Sequence, residues 1–362
     1  MLYPYVIEPK LTTAIWGGSA LVSRFNKHGD RAATTGESWE CWDENQIANG
    51  PLKGMTLALL RERLGANFLG NLDPLQIFPI LTKLIDARAA LSVQVHPDDA
   101  YAQRVEGQRN GKTECWYVLE AQPGAELVLG WVSHTSREEY ERRVADGSLG
   151  DILRRVPVKA GEAYYIPAGT LHAIGAGVII FETQQASDLT YRIFDWNRVD
   201  ASGKPRELHV SKAADVLNYH ADGERAIAEL RYEFEGIERA ALIAAPHFVV
   251  ERLHVTRQAR LRTEGRPLIL MTLAAGADLR CEDGAAALAP YTTAIVPAAA
   301  QYVDVLPAAG SAQMMFVTPP ASPDALAQRL RSAGIPNDRI ETFQRQFHDR
   351  HAPQAGDRLY KI

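Results

Sequence analysis

The stretch LSVQVHPDDAYA, residues 91–102, decides the fold. Side chains along a strand point alternately to opposite faces, so Gln94 and His96 share one face while Val93 and Val95 share the other. One face is polar and the other packs. A polar face either meets solvent or lines a site enclosed by strands, and the rest of the chain has to say which.

Working outward, short apolar runs bounded by Gly, Pro and Asp dominate: FPILTKLI from residue 78, ECWYVLEA from 114, AELVLGW from 125, AYYIPAG from 163, GVIIFET from 177 and LTYRIFDW from 189. Such spacing predicts a mainly β protein built as sandwiches or barrels. Helical patterns are excursions: MTLALLRERLG (55–65) ends on a glycine, and SREEYERRVADG (136–147) opens with a capping serine and acidic residues. GKPRELHVSKAADVLNYH (203–220) reads as a loop into a short helix. A boundary falls near 220–245, giving domains at 1–220 and 221–319. In the tail, 320–362, SPDALAQRLRSAGIP has a Ser322 cap, Pro323 at the first helical position and a Gly334 stop. A second charged helix follows, and the tail packs on the body or serves in assembly.

A weak internal repeat joins the halves. EAYYIPAGTLHAI (162–174) and TTAIVPAAAQYVD (292–304) share a β run, Pro-Ala, a small-residue turn and another strand, with Tyr302 standing where the first copy has His172.

At 362 residues, 46% hydrophobic and 23% charged, the chain is an ordinary globular one, long enough for two or three cores. Its net charge of −5 gives no electrostatic reason for nucleic acid or an anionic membrane surface. No run approaches the length of a membrane span, and MLYPYVIEPKLTTAIWGG lacks a signal-peptide core. Three dispersed cysteines without a CxxC argue against a disulfide framework and for a reducing cytoplasm.

Three segments supply residues of metal-ligand type in a β context: Gln94 and His96, Glu114, and His172 after a Pro-Ala-Gly-Thr turn. Two imidazoles, a carboxylate and an amide oxygen suit a borderline divalent ion such as zinc. Taken alone, a histidine in a strand is more often a structural or solvated residue than a ligand; the combined spacing leaves both readings open.

The combination QVHPDD (94–99), GKTECWYVL (111–119), PAGTLHAIG (167–175), QQASDLTYRIFDWNR (184–198) and GKPRELHV (203–210) resembles the type I phosphomannose isomerases, particularly the short bacterial form. The likeness is dense over residues 1–220, general over 245–318, and the tail from about 320 looks like an addition. It departs from short relatives around ECWD (40–43). The resemblance implies two cupin-type β-barrels, jelly rolls, the second degenerate, and Gln94, His96, Glu114 and His172 as ligands of one zinc ion. It implies isomerisation of mannose 6-phosphate and fructose 6-phosphate through a cis-enediol, by a monomer or homodimer acting on a small sugar phosphate, without nucleic acid or membrane.

Such chemistry needs stabilisation of an enediolate and a group that carries a proton between neighbouring carbons. Lys112 is a base or proton relay, or a binder of substrate oxygen. Asp188 and Arg192, four apart in an expected strand, face one cavity together, or pair as a structural ion pair; the arginine fork suits phosphate or enediolate. Lys83 is charged inside an apolar strand, so it points into the site or meets a carboxylate, and it is a weaker substrate contact. Asp98, Asp99 and Arg198 read as turn and structural residues. Trp16 and ESWECWD (37–43) either wall a sugar pocket or pack the core. The alternatives are an isomerase of another aldose phosphate such as glucose 6-phosphate, a non-catalytic metal-binding sugar sensor, and a metal-dependent dioxygenase.

Overall fold

The computed structural model describes residues 2–30, 34–72, 77–199, 203–221, 223, 226–319 and 324–348. The architecture is mainly β, with four antiparallel sheets. A six-stranded sheet runs, in spatial order, Ala163–Ile166, Glu114–Ala121, Val178–Gln185, Ile80–Ala87, Lys10–Gly18 and Thr35–Cys41. A five-stranded sheet runs Tyr191–Phe194, Val93–Val95, His172–Ile174, Glu126–Trp131 and Leu153–Pro157. Trp116, Val118, Ile166 and Ile180 from the first share a core with Leu127, Leu129 and Ile174 from the second, so the two sheets face one another.

The sheets are open, and this corrects the expectation of closed barrels. The chain leaves the six-stranded sheet after Ile166 and joins the five-stranded one at His172, and Pro167 has no N–H with which to continue the pairing. The step is a turn of chain between two sheets, without the hydrogen bonds that would close a ring.

The same step occurs in the second half. An eight-stranded sheet contains Thr293–Val296, and after Pro297 the chain crosses to Tyr302–Pro307 in a four-stranded sheet. Leu268, Leu270, Ala294, Val296, Met314 and Phe316 meet Leu279, Leu288, Val303 and Val305 between those sheets, an interior built of apolar side chains. Tyr302 is covered by the Arg260 guanidinium, 3.7 Å from its ring centre.

Alternation also explains how the halves join. Ile269, Met271, Ile295, Met315 and Val317 point out of the second interior and pack against Cys115, Tyr117, Tyr165 and Phe181 from the back of the six-stranded sheet. The eight-stranded sheet is therefore apolar on both faces, hence runs such as PLILMT without polar alternation. The N-terminal strand Tyr5–Glu8 pairs with Thr293–Val296, so residues from the start of the chain complete the sheet of the second half.

Helix Leu57–Leu64 is capped by Thr56, and Arg137–Asp146 by Ser136, as their sequences require. The C-terminal helices Asp324–Ser332 and Asn337–His348 bury Leu326, Leu330, Ile340, Phe343 and Phe347 in the shared core, so the tail is packed on the body. Arg329 reaches Glu251 at 3.2 Å. The expected Ser322 cap and Pro323 lie outside the described residues. No helix among the described residues is long and apolar enough to cross a membrane.

One buried ion pair stitches the halves. Lys27 lies 2.7 Å from Glu40, whose oxygens also accept from Ser38 at 2.6 Å and from Thr293 at 2.9 Å, and Lys27 donates to the Tyr291 carbonyl at 2.6 Å. Removing one partner strands the other charge in a dry interior. Lys27→Met should lower the unfolding free energy by about 3 kcal/mol, read from denaturant titration, and Lys27→Met with Glu40→Gln should recover part of it. A single-variant loss under ~0.5 kcal/mol would show that the pair does not tie the halves.

Candidate active site

The polar face of residues 91–102 looks inward. His172 lies opposite Gln94, and Arg192 opposite Gln94 from the other side, so Arg192, Gln94 and His172 form one row across the five-stranded sheet. Val93 and Val95 pack outward with Trp131, Tyr140 and Leu217. From the facing sheet, Glu114 and Trp116 sit two apart on one strand, and the row Trp116, Glu182, Lys83, Trp39 crosses it.

Local chemistry fixes each group. In the Pro167–Thr170 turn Gly169 adopts φ +86°, its N–H donates to the His96 carbonyl at 2.9 Å, and the Thr170 carbonyl accepts from His172 Nδ1 at 2.8 Å. The His96 Nδ1–H donates to the Leu189 carbonyl at 2.8 Å. A carbonyl can only accept, so both Nδ1 atoms are protonated and both Nε2 lone pairs are left for the interior. Gly111 passes so close to the Pro97–Asp98 backbone that a Cβ would lie 2.5 Å from the Pro97 oxygen. Its N–H donates to Asp99 Oδ1 at 2.7 Å and the Lys112 N–H to the Pro97 carbonyl at 3.0 Å, which pins Lys112.

The ligand-type atoms converge. Glu114 Oε1 is 3.3 Å from His172 Nε2, Glu114 Oε2 is 3.5 Å from His96 Nε2, and one ligand atom from each of the three residues falls within a 4.8 Å cluster. The Gln94 amide lies 3.3 Å from His172 Nε2. Lys112 Nζ is 3.2 Å from Glu114 Oε2 and 3.3 Å from His96 Nε2. Among the described residues the Lys112 ammonium alone compensates the Glu114 carboxylate, which is fully buried and has no further hydrogen bond at either oxygen. Two imidazole acceptors and a carboxylate converging on one buried point exceed what the single Lys112 ammonium can serve, and a metal cation would satisfy them.

The electrostatics agree. Burial opposes ionisation of Glu114, but the Lys112 ammonium, foremost among its neighbours, outweighs it and holds the carboxyl well below the usual range. Burial and then Lys112 push His96 down to about 3, and burial lowers His172, so both rings are neutral at pH 7. Neutral imidazole is the metal-binding form.

Lys83 is buried between two carboxylates, 3.5 Å from Glu182 and 3.7 Å from Glu37, with its ammonium 4.9 Å from the Trp39 ring centre. Both carboxylates escaped the sequence reading. Glu182 interrupts GVIIFET as Lys83 interrupts FPILTKLI, and two opposite charges in neighbouring apolar strands are the signal that pairs them. Burial and then the Glu114 charge raise Glu182 to about 7, against the pull of Lys83.

The expected strand pairing of Asp188 with Arg192 is not found. The strand begins at Tyr191, Asp188 is exposed in the loop before it, and no ion pair joins the two among the described residues. Arg192 instead donates to Ser92 Oγ at 3.3 Å and to the Glu207 carbonyl at 3.0 Å. Asp98 caps a short helix, Asp99 holds Gly111 and Gln185, and Arg198 pairs with Asp195, all structural tasks. Trp16 packs the core, whereas Trp39 stands half-buried beside Lys83.

The family model of the phosphomannose isomerase type I catalytic domain matches residues 5–128. The mannose-6-phosphate isomerase of Streptococcus mutans is 38% identical over 280 residues, 76% of this chain and 86% of its own length. The chain belongs to the mannose-6-phosphate isomerase family. Another member, ManA of Bacillus subtilis, is 38% identical over 277 residues, covering 75% of this chain and 86% of that one. The crystal structure of the mannose 6-phosphate isomerase from Bacillus subtilis superposes with a TM-score of 0.80 at 32% identity, over 87% of this chain and 99% of that one. A zinc-bound mannose 6-phosphate isomerase at 15% identity and TM-score 0.70 shares the fold, over 86% of this chain and 99% of its own. Family membership makes the chain an aldose–ketose isomerase.

The Glu182 carboxyl should titrate near pH 7 in the metal-free protein, followed by infrared or carbon NMR. Lys83→Met removes the charge that favours its ionised form and should move the titration up by about one to two pH units. A downward movement would contradict the electrostatics described.

Proposed function

We propose that the protein interconverts mannose 6-phosphate and fructose 6-phosphate, with one zinc ion held by Gln94, His96, Glu114 and His172. The observation that carries this reading is the convergence of two unprotonated Nε2 atoms on a fully buried carboxylate, inside a family of mannose-6-phosphate isomerases. Turning over the Gln94 amide presents its oxygen to the same point. Bound zinc supplies Lewis-acid stabilisation of the negative charge that develops on the sugar oxygen during proton abstraction.

The chain's own groups do the rest. Arg192 shares the inward row with Gln94, and burial followed by repulsion from Arg206 and Arg198 lowers its pKa, a strain that an anionic substrate group would relieve. Lys83 offers a second cation to the substrate. We assign to Lys112 and Glu182 the movement of the proton between C2 and C1. Glu182 has a pKa near the working pH, where one carboxyl serves both as base and as acid, and Lys112 then binds substrate oxygen. We place the proton with these two ahead of Asp188, because Asp188 is exposed on the outer loop.

On this reading the two sandwiches are cupin-type jelly rolls, with catalysis in residues 1–220 and a degenerate partner in 221–319. The enzyme works in the cytoplasm as a monomer or homodimer, by way of a cis-enediol.

Purified protein should isomerise mannose 6-phosphate, lose activity to a chelator and regain it with zinc, and His172→Ala should lower kcat at least ~1,000-fold. Zinc-loaded protein that leaves mannose 6-phosphate unchanged refutes the assignment. Glu182→Gln should lower kcat about 100-fold or more and remove the pH-rate limb near 7, with zinc content unchanged. Retention of that limb would give the proton to Lys112.

A further inference from the structure

Arg192 lies on Tyr191–Phe194, the edge strand of the five-stranded sheet, where nothing in the sheet itself restrains its outer side. The segment Glu207–His209 takes that place and concentrates its bonds on this one residue. The His209 N–H donates to the Arg192 carbonyl at 2.7 Å, the Arg192 N–H donates to His209 Nδ1 at 3.2 Å, and Arg192 Nη1 donates to the Glu207 carbonyl at 3.0 Å. On the inner side buried Ser92 accepts from Arg192 Nε at 3.3 Å.

The placement of His209 breaks a local rule. It is the N-cap of helix Val210–Val216, a position that favours Ser, Thr, Asp or Asn because their short side chains accept from the helix's own free N–H groups. His209 makes no such side-chain bond. Its only ring acceptor faces away from the helix and takes the Arg192 N–H instead. The helix gives up its cap, and the gain falls on a residue whose guanidinium belongs to the inward row with Gln94 and His172.

We propose that His209 is a positioning residue for Arg192. It extends the sheet by one imitation strand residue, holds the Arg192 backbone in register with Gln94, and so aims the guanidinium at the anionic group of the substrate. The ring must keep Nδ1 unprotonated with its hydrogen on Nε2, since a second donor would face the Arg192 N–H. The catalytic part of this inference rests on the substrate role given to Arg192 above.

The experiment is a double-mutant cycle with mannose 6-phosphate, joined to a crystal structure of His209→Ala. His209→Ala should lower kcat/KM about tenfold, the loss expected of one hydrogen bond, with zinc content unchanged. His209→Asn, whose Oδ1 reaches as far as Nδ1, should restore activity to within about twofold of wild type. In an Arg192→Ala background His209→Ala should have no further effect, because a residue that acts only through Arg192 has nothing left to position. In the crystal structure of His209→Ala the Arg192 guanidinium should leave Ser92 and Glu207. Wild-type kcat/KM in His209→Ala, or an undiminished loss in the Arg192→Ala background, overturns the inference. If the wild-type protein turns over no mannose 6-phosphate, the functional reading fails on its own. The crystal structure still decides positioning: an unmoved Arg192 sinks it.

Discussion

Two unprotonated imidazole nitrogens and one ionised carboxylate are forced together, fully buried, between two facing sheets. Everything else about the site answers that constraint. Each histidine spends its Nδ1–H on a backbone carbonyl, which leaves the other nitrogen unable to do anything but accept. Glu114 stays ionised in spite of full burial because Lys112 stands 3.2 Å away. A carboxylate and two acceptors with only the Lys112 ammonium among them are a costly arrangement in so buried a place, and the fold holds it by turns, close backbone contacts and the opposed rows of two sheets.

The two halves show what the constraint adds to a common framework. Both cross from one sheet to the next at an X-Pro-Ala turn, and both enclose an interior between facing sheets. In the second half that interior is filled by Leu, Val, Ala, Met and Phe, and Tyr302 at the position equivalent to His172 packs beneath Arg260. In the first half the same space is shared between an apolar end around Leu127, Leu129 and Val118 and a polar end of alternating charge, Glu37, Lys83, Glu182, Lys112 and Glu114. The second half braces the back of the six-stranded sheet through the shared core and the Lys27–Glu40 pair.

Reading along the chain brought the candidate site residues together because strand alternation is a local rule. Gln94 and His96 had to share a face whatever surrounded them, and the Pro-Ala-Gly-Thr turn before His172 carried its own geometry. The same rule failed for Asp188 and Arg192, where an even spacing was read across a loop. Glu182 and Glu37 went unseen because a lone acid in an apolar run has meaning only beside its partner, and Lys83 lies nearly a hundred residues from one of them. Open sheets were read as closed barrels because local pattern reports which residues alternate and not whether the last strand returns to the first.

What the sequence determined by itself was therefore the β class, the repeated crossing and the inward-facing polar residues, since each follows from periodicity and turn chemistry within about a dozen residues. Tertiary structure alone decided which carboxylates meet Lys83, which strand completes the second half's sheet, and which backbone segment restrains Arg192. Those are contacts between residues far apart in the chain, and their energies depend on burial and distance, which exist only once the sheets have packed.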